Sequence, residues 1–230
     1  MRDTIPPLLA LIDRNRDVSH LVSSRDHYAK ARARLDDLAV NDRNRAPIHP
    51  QYLAKLLSDH ATDDAVFIPD VGSPVVWAAR YLEMNGKRRL IGSFTHGSMA
   101  NAVSQGVGAQ ASYPGRQVIA MAGDGGLAML LGELLTLTQN ALPVKLVVFN
   151  NPTLNFVELE MKAAGFVNFG TDLENPDFAT VARGYGAFGA RLERNEDIEG
   201  VVADAVRAVT EDRIPAVVHV VADPAKLLDR

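Results

Sequence analysis

The chain has 230 residues, which is enough for one sizeable core with an appended segment. Its net charge of −4, with 47% hydrophobic and 23% charged residues, gives no reason to expect nucleic acid as a partner. The sequence has no cysteine, which excludes disulfides, thiol catalysis and cysteine metal sites and fits a reducing cytosol. No apolar run approaches the ~18 residues of a membrane helix, and the opening lacks the features of a signal peptide.

The first part of the chain, residues 1–46, is charged and Arg-rich. Helical spacing from Tyr28 to Leu35 predicts a helical arm, and the sequence Arg45-Ala46-Pro47 marks the end of this arm and linker. From Ile48 onward the pattern alternates between strands and helices. We therefore predict a single folded domain at 47–230.

Apolar patterns predict the elements of this domain in chain order. They are a helix opened by Pro50, a strand at 65–68, a helix at 74–84, a strand at 89–93, a helix at 98–112, a strand at 117–121, a helix after it, a strand at 144–149, a helix near 177–185, a short strand near Ala190, a helix at 197–210 and a strand at 216–221. Short apolar strands separated by helices indicate an α/β fold, a doubly wound parallel sheet with helices on both faces.

Polar residues follow two of these strands. Gly123-Asp124-Gly125-Gly126 follows the strand at 117–121, and Asn150-Asn151 follows the strand at 144–149. Because parallel strands end on the same edge of a sheet, Asp124 and Asn151 are expected to be neighbours there. A carboxylate and an amide oxygen beside glycines and a helix N-terminus suit Mg²⁺ carrying a diphosphate.

The glycine-rich stretch has three other interpretations. A dinucleotide site needs an acidic residue at the end of the next strand, where this chain has Phe149-Asn150-Asn151. A P-loop needs a Lys after the glycines, and there is none. A glycine turn and an asparagine turn without any ligand remain the simplest alternative.

The pair GDG and NN, with residues 126–149 between them, resembles the signature of thiamine diphosphate (ThDP) enzymes. Residues 49–102 and 150–166 resemble the bacterial pyruvate dehydrogenase (quinone), or pyruvate oxidase, group. The resemblance covers only the C-terminal, diphosphate-binding (PP) part of such enzymes. Their N-terminal pyrimidine-binding domain and most of their central FAD domain have no counterpart in the sequence, and residues 1–46 correspond to the end of the central domain.

The resemblance implies a cofactor and a ligand set. Mg²⁺ is expected to be bound by the Asp124 carboxylate, the Asn151 side-chain carbonyl and the Thr153 backbone carbonyl. The expected cofactor-binding residues come from four turns and are Asp70, Val71, Gly72, Gly97, Ser98, Met99, Asp124, Gly125, Gly126, Asn151, Thr153, Leu154, Asn155 and Phe156. Met99 is expected to lie under the bend of the cofactor, and Phe156 is a candidate gate.

Two of these turns also have simpler interpretations, and in the second of them Met99 would be an ordinary core residue. The turn at Asp70 fits a capped helix start equally well. Gly97 and Ser98 are expected to offer N–H groups and a hydroxyl at a helix N-terminus. No catalytic residue is assigned.

Other polar residues are interpreted as structural. His96 either orients the diphosphate or occupies a turn, and the second interpretation is favoured. The remaining histidines lack partners at ligand spacing and are expected at the surface or as caps: His20, His27, His49, His60 and His219. Glu133 is placed within a helix as a structural residue. Glu158 and Glu160 do not share a helix face, which argues against joint acid–base work.

The resemblance implies that the complete enzyme decarboxylates pyruvate and passes electrons to FAD, which this chain does not bind, and then to quinone. The activating glutamate of the family lies on the pyrimidine domain. Catalysis is therefore expected to need a pyrimidine-domain partner or the missing domains, and the chain alone is expected to form an inactive homo-oligomer. A non-catalytic truncated module, and part of an acetolactate synthase or 2-oxoacid decarboxylase, are the alternatives. The expected location is the cytoplasm, where the complete enzyme can be peripheral to a membrane.

Overall fold

The computed structural model describes residues 4–12, 17–40 and 46–223. Internal contacts divide the chain into two compact units, Met1–Leu38 and Ala39–Arg230. The end of the predicted arm at 41–45 and the last residues of the predicted domain, 224–230, lie outside the described residues. The described residues of the first unit form two helices, α1 (Ile5–Leu11) and α2 (Ser19–Leu38), which confirms the prediction of helical structure in the arm.

The second unit contains one six-stranded sheet. Its strands are β1 (Val66–Pro69), β2 (Arg89–Leu90), β3 (Val118–Gly123), β4 (Lys145–Asn150), β5 (Phe188–Leu192) and β6 (Ala216–Val221). The order across the sheet is β2-β1-β3-β4-β6-β5, and every pair is parallel. Because β3 and β4 are direct neighbours, the expected adjacency of the two strand ends is confirmed.

Helices cover both faces of this sheet, which confirms the doubly wound α/β prediction. They are α3 (Pro50–Asp59), α4 (Ser73–Tyr81), α5 (Asn101–Ser112), α6 (Asp124–Met129), α7 (Glu133–Gln139), α8 (Asn155–Ala163), α9 (Phe178–Gly184) and α10 (Ile198–Thr210). No helix in the described ranges combines the length and apolar character needed to cross a bilayer.

One face of the sheet carries the main apolar core. Alternate strand residues such as Val66, Ala120 and Val148 pack there against α5, α7 and α9, for example against Val103 and Phe178. On the other face, α3 and α10 flank Ile119, Val147 and Val218. The strands β1, β3, β4 and β6 are therefore buried on both sides, which explains their nearly continuous apolar sequences.

Three of the predicted elements have wrong bounds, in addition to the helix predicted at 98–112, which begins at Asn101. The helix predicted at 74–84 ends at Tyr81, because Leu82 is extended. The strand predicted at 89–93 shrinks to two exposed residues at the edge of the sheet. The helix predicted after Gly126 is two helices, with a break at 130–132, so Glu133 begins α7.

Candidate functional site

A cleft opens at the carboxyl edge of the sheet, above the ends of β1, β3 and β4. The space between its walls, with the open solvent at its mouth included, is about 830 Å³. Of the fourteen predicted cofactor-binding residues, twelve line it: Val71, Gly72, Gly97, Met99, Asp124, Gly125, Gly126, Asn151, Thr153, Leu154, Asn155 and Phe156. Asp70 and Ser98 are not among the lining residues.

Asp124 is the buried acid of this cleft, with only 4% of its surface exposed. Its Oδ1 accepts a hydrogen bond from the Gly125 N–H (2.9 Å), and its Oδ2 accepts one from Asn175 Nδ2 (2.8 Å). Burial raises the pKa of the carboxyl to about 6, and these hydrogen bonds oppose that shift. A divalent cation beside the carboxylate would offset the same cost of burial.

Asn151 and Thr153 lie on the other side of the cleft, where β4 ends. The Asn151 Oδ1 accepts a bond from the Thr153 N–H (3.3 Å), and the Thr153 hydroxyl donates to Glu158 Oε2 (2.9 Å). Glu158 also accepts from Lys162 and from Asn168, and the Lys162 hydrogen bond lowers its pKa. Glu158 therefore fixes the loop that carries the predicted metal ligands, in keeping with a structural role.

Asp70 lies beneath the cleft. Only 1% of its surface is exposed. The N–H groups of Asn101 and Ala102 at the start of α5 lie near its carboxylate, but neither carboxylate oxygen has a well-formed hydrogen bond. A Cβ added to Gly126 would lie 1.8 Å from Asp70 Oδ2, so the carboxyl packs directly against the Gly126 backbone. Asp70 thus supports the glycine loop from below. Burial raises its pKa to about 6.

Replacing Asp70 with Asn is expected to change how stability depends on pH. Because the folded-state pKa is raised from 3.8 to about 6, the folded protein binds the proton more tightly than the unfolded chain, so this contribution is present at low pH and is lost as pH rises. The unfolding free energy of the wild type, relative to Asp70→Asn, should fall by about 2 kcal/mol between about pH 4 and pH 7. Urea titrations of both proteins across that range measure it, and a constant difference would contradict it.

The expectation that Gly97 and Ser98 open a helix was wrong. The helix α5 begins at Asn101, after Ala100 adopts a left-handed conformation with φ of 65°. The Gly97 N–H bonds the Ser93 carbonyl (2.8 Å), and the Ser98 N–H bonds Ser93 Oγ (3.0 Å). These two N–H groups are therefore occupied by hydrogen bonds within the turn.

The expectation that His219 is a surface or capping residue was also wrong. It lies in β6 with 0% of its surface exposed. Its Nε2 is 2.7 Å from Asn150 Nδ2, and its Nδ1 is 3.0 Å from Asp177 Oδ1. Burial is the main cause that lowers its pKa, so the neutral ring is favoured.

Asp177, the partner of His219 Nδ1, has a pKa below the usual value of an aspartate. Burial pushes its pKa up, but hydrogen bonds from Thr180 and His219 lower it to about 2. Asn175, Asp177 and His219 were all missed as site-associated residues. The available signal was the single polar residue in the apolar run at 216–221, because a buried polar group needs a partner.

The donor set of the cleft fits a hard cation. Among the described residues, no three His, Cys, Asp or Glu side chains cluster to hold a metal. A cation at this cleft would instead combine the Asp124 carboxylate with amide and main-chain oxygens, and it would need further oxygens from a ligand. Mg²⁺ characteristically uses one or two carboxylates together with phosphate oxygens and water.

Comparison with known proteins agrees with this geometry. The family described as "Thiamine pyrophosphate enzyme, C-terminal TPP binding domain" matches residues 70–220, which is more than half of the chain. Thiamine pyrophosphate (TPP) is another name for ThDP. The match begins at Asp70 and includes both strand ends that form the cleft.

Individual relatives include several kinds of protein. The chain is 34% identical to the thiamine pyrophosphate-containing protein YdaP of Bacillus subtilis, over 70% of this chain and 28% of that protein. It is 32% identical to an acetolactate synthase of Mycobacterium bovis (76% and 29%) and 29% identical to a pyruvate oxidase of Lactiplantibacillus plantarum (73% and 28%). The chain thus spans less than a third of the length of the curated relatives it matches.

Proposed function

Since this chain belongs to the thiamine pyrophosphate enzyme family, through the family's C-terminal TPP-binding domain, we propose that it holds the diphosphate of ThDP through Mg²⁺ in the cleft between β3 and β4. The proposal rests mainly on one observation. Asp124 is almost fully buried, and it faces the same cleft as Asn151 and Thr153, although these residues are separated by a helical crossover. A buried carboxylate with no cationic partner among its hydrogen bonds is well suited to a metal ion.

In this proposal the protein anchors and orients the cofactor. Asp124, Asn151 and Thr153 would hold Mg²⁺, and the glycines after Asp124 allow close approach of the diphosphate. Bound ThDP would supply the carbanion-stabilising chemistry of the reaction. Met99 lies against Gly125, since a Cβ there would be 3.3 Å from Met99 Cε, so its side chain is placed to support the bound cofactor.

The rim of the cleft offers apolar contact surface. Phe156 lines the opening, and three further phenylalanines are exposed in loops: Phe94 before α5, and Phe166 and Phe169 after α8. Exposed apolar side chains in such numbers are typical of interaction surfaces. We propose that they contact a second copy of the chain or a pyrimidine-domain partner, which the resemblance assigns to the complete enzyme.

The finer assignment is an enzyme of the pyruvate oxidase type, in which the complete protein decarboxylates pyruvate and passes electrons to FAD. It is supported by the resemblance of residues 49–102 and 150–166. An acetolactate synthase is the second candidate, because the chain is 32% identical to the Mycobacterium bovis synthase. Assays for acetolactate formation and for electron transfer to FAD, made on the chain together with a pyrimidine-domain partner, separate the two candidates.

Calorimetric titration of the full chain with ThDP tests the core proposal. We expect saturable binding in the presence of Mg²⁺ and none when EDTA removes it, because the diphosphate would then face the buried Asp124 carboxylate without a cation between them. Equal binding in both conditions would contradict the metal bridge. Thiamine without its phosphates is the matched ligand control, and any binding of thiamine should not depend on Mg²⁺.

A further inference from the structure

We infer that Asn175 and His219 are positioning residues for the Asp124 carboxylate. The inference rests on the proposed function, in which that carboxylate holds the cation. Both residues belong to one chain of side-chain hydrogen bonds, which runs from Asp124 through Asn175, Asn150 and His219 to Asp177. None of the three inner members of this chain lines the cleft itself.

The hydrogens of this chain can be assigned in a consistent order. The two hydrogens on Asn175 Nδ2 meet two acceptors, Asp124 Oδ2 at 2.8 Å and Asn150 Oδ1 at 3.0 Å. The Asn150 amide nitrogen therefore faces His219 Nε2 at 2.7 Å and donates to it. This requires a neutral His219 with its hydrogen on Nδ1, which then donates to Asp177 Oδ1 at 3.0 Å.

The far end of the chain is fixed by secondary structure. Asp177 is the N-cap of α9 and accepts from the Thr180 N–H at 3.3 Å. The His219 ring is held within β6 and packs edge-on against Phe178, with the ring centroids 5.3 Å apart. The Asn175 amide is thus tied to groups that cannot easily move.

The consequence at the cleft is a carboxylate held at both oxygens. The Gly125 N–H fixes Oδ1, and the Asn175 amide fixes Oδ2. Donors of this kind stabilise the charged form that a cation requires and restrict rotation of the carboxylate. Removing the Asn175 amide should therefore reduce the affinity for the cation more than it reduces the stability of the fold.

The test measures the Mg²⁺ concentration that gives half-maximal ThDP binding to the full chain, for the wild type, Asn175→Ala and His219→Phe. Loss of an outer hydrogen-bond partner typically weakens a metal site about 10–100-fold, and we expect a rise in that range for Asn175→Ala and a smaller rise for His219→Phe. Because both changes interrupt one chain, the double variant should be no worse than Asn175→Ala alone.

Asn140→Ala is the matched control, since Asn140 also bonds through its amide nitrogen, to the Thr136 carbonyl at the end of α7. It should lower the melting temperature slightly and leave the Mg²⁺ requirement unchanged. An unchanged requirement in Asn175→Ala, or fully additive effects in the double variant, would overturn the inference. A residue with a purely structural role would change thermal stability alone.

A second measurement keeps the inference separate from the proposed function. Nitrogen-15 NMR of the His219 ring should show a neutral ring with its hydrogen on Nδ1, and Asn175→Ala should shift the Nε2 signal by releasing Asn150. A hydrogen on Nε2, or an unshifted signal, would refute the chain even if ThDP binds. A wild-type protein that binds no ThDP at saturating Mg²⁺, with the shift observed, would refute the proposed function and leave the chain of bonds established.

Discussion

Substituting Ala for Asp124 is expected to abolish Mg²⁺-dependent ThDP binding and to leave the protein folded. The variant removes the only carboxylate among the proposed ligands, so the affinity for ThDP in the presence of Mg²⁺ should fall by about 100-fold or more. The fold should survive, because the buried carboxyl is costly in its charged form, as its raised pKa shows. Calorimetry and thermal unfolding of the same samples measure the two effects.

The control for this substitution is Asp212→Ala, an exposed aspartate before β6, at the opposite edge of the sheet. It should change neither ThDP affinity nor melting temperature by a measurable amount. Unchanged affinity in Asp124→Ala would place the metal elsewhere. Unfolding of Asp124→Ala would show that the carboxylate is needed for the structure before any ligand binds.

Adding a single methyl group at Gly126 should destabilise the protein by about 2–3 kcal/mol, although the residue lies in a helix. Helix propensity alone favours Ala over Gly by up to about 1 kcal/mol. The expected change in stability has the opposite sign here, because the new Cβ would lie 1.8 Å from Asp70 Oδ2 and 3.2 Å from the Ala100 nitrogen. Urea unfolding of Gly126→Ala measures the loss.

Gly200→Ala is the matched comparison, since Gly200 also lies in a helix but has no heavy atom within 4 Å of the added Cβ. It should stabilise the protein by about 0.5–1 kcal/mol. In an Asp70→Ala background, most of the cost of Gly126→Ala should disappear, because its nearest clash is removed. Equal costs in both backgrounds would show that Asp70 is not the obstacle.

The parts of the fold that could be predicted are those with local signals. The apolar run at 216–221 has the same bounds as β6, and the runs at 117–121 and 144–149 match β3 and β4 within two residues at each end. The adjacency of Asp124 and Asn151 followed from parallel strands ending on one edge. These inferences need only the period and composition of short segments.

Other features depend on contacts that no segment contains. The partners of His219 lie 42 and 69 residues away in sequence, so its burial and hydrogen bonds could not be inferred from its neighbours. The start of α5 depends on a left-handed Ala100, which the residue type does not predict. Asp70 likewise resembled an ordinary helix cap, and only its packing against Gly126 shows its place beneath the loop.

The two asparagines at the end of β4 explain why the number of residues between the GDG and NN motifs matters. Successive residues of a strand point to opposite sides, so Asn150 meets His219 inside the protein while Asn151 borders the cleft. A residue inserted within β4 would exchange these two environments, whereas one inserted at 140–143, before the strand, would leave them intact. The number of residues at 126–149 therefore corresponds to one crossover between the two strands. Insertions and deletions in natural variants are expected in the loop at 140–143 and not in β4.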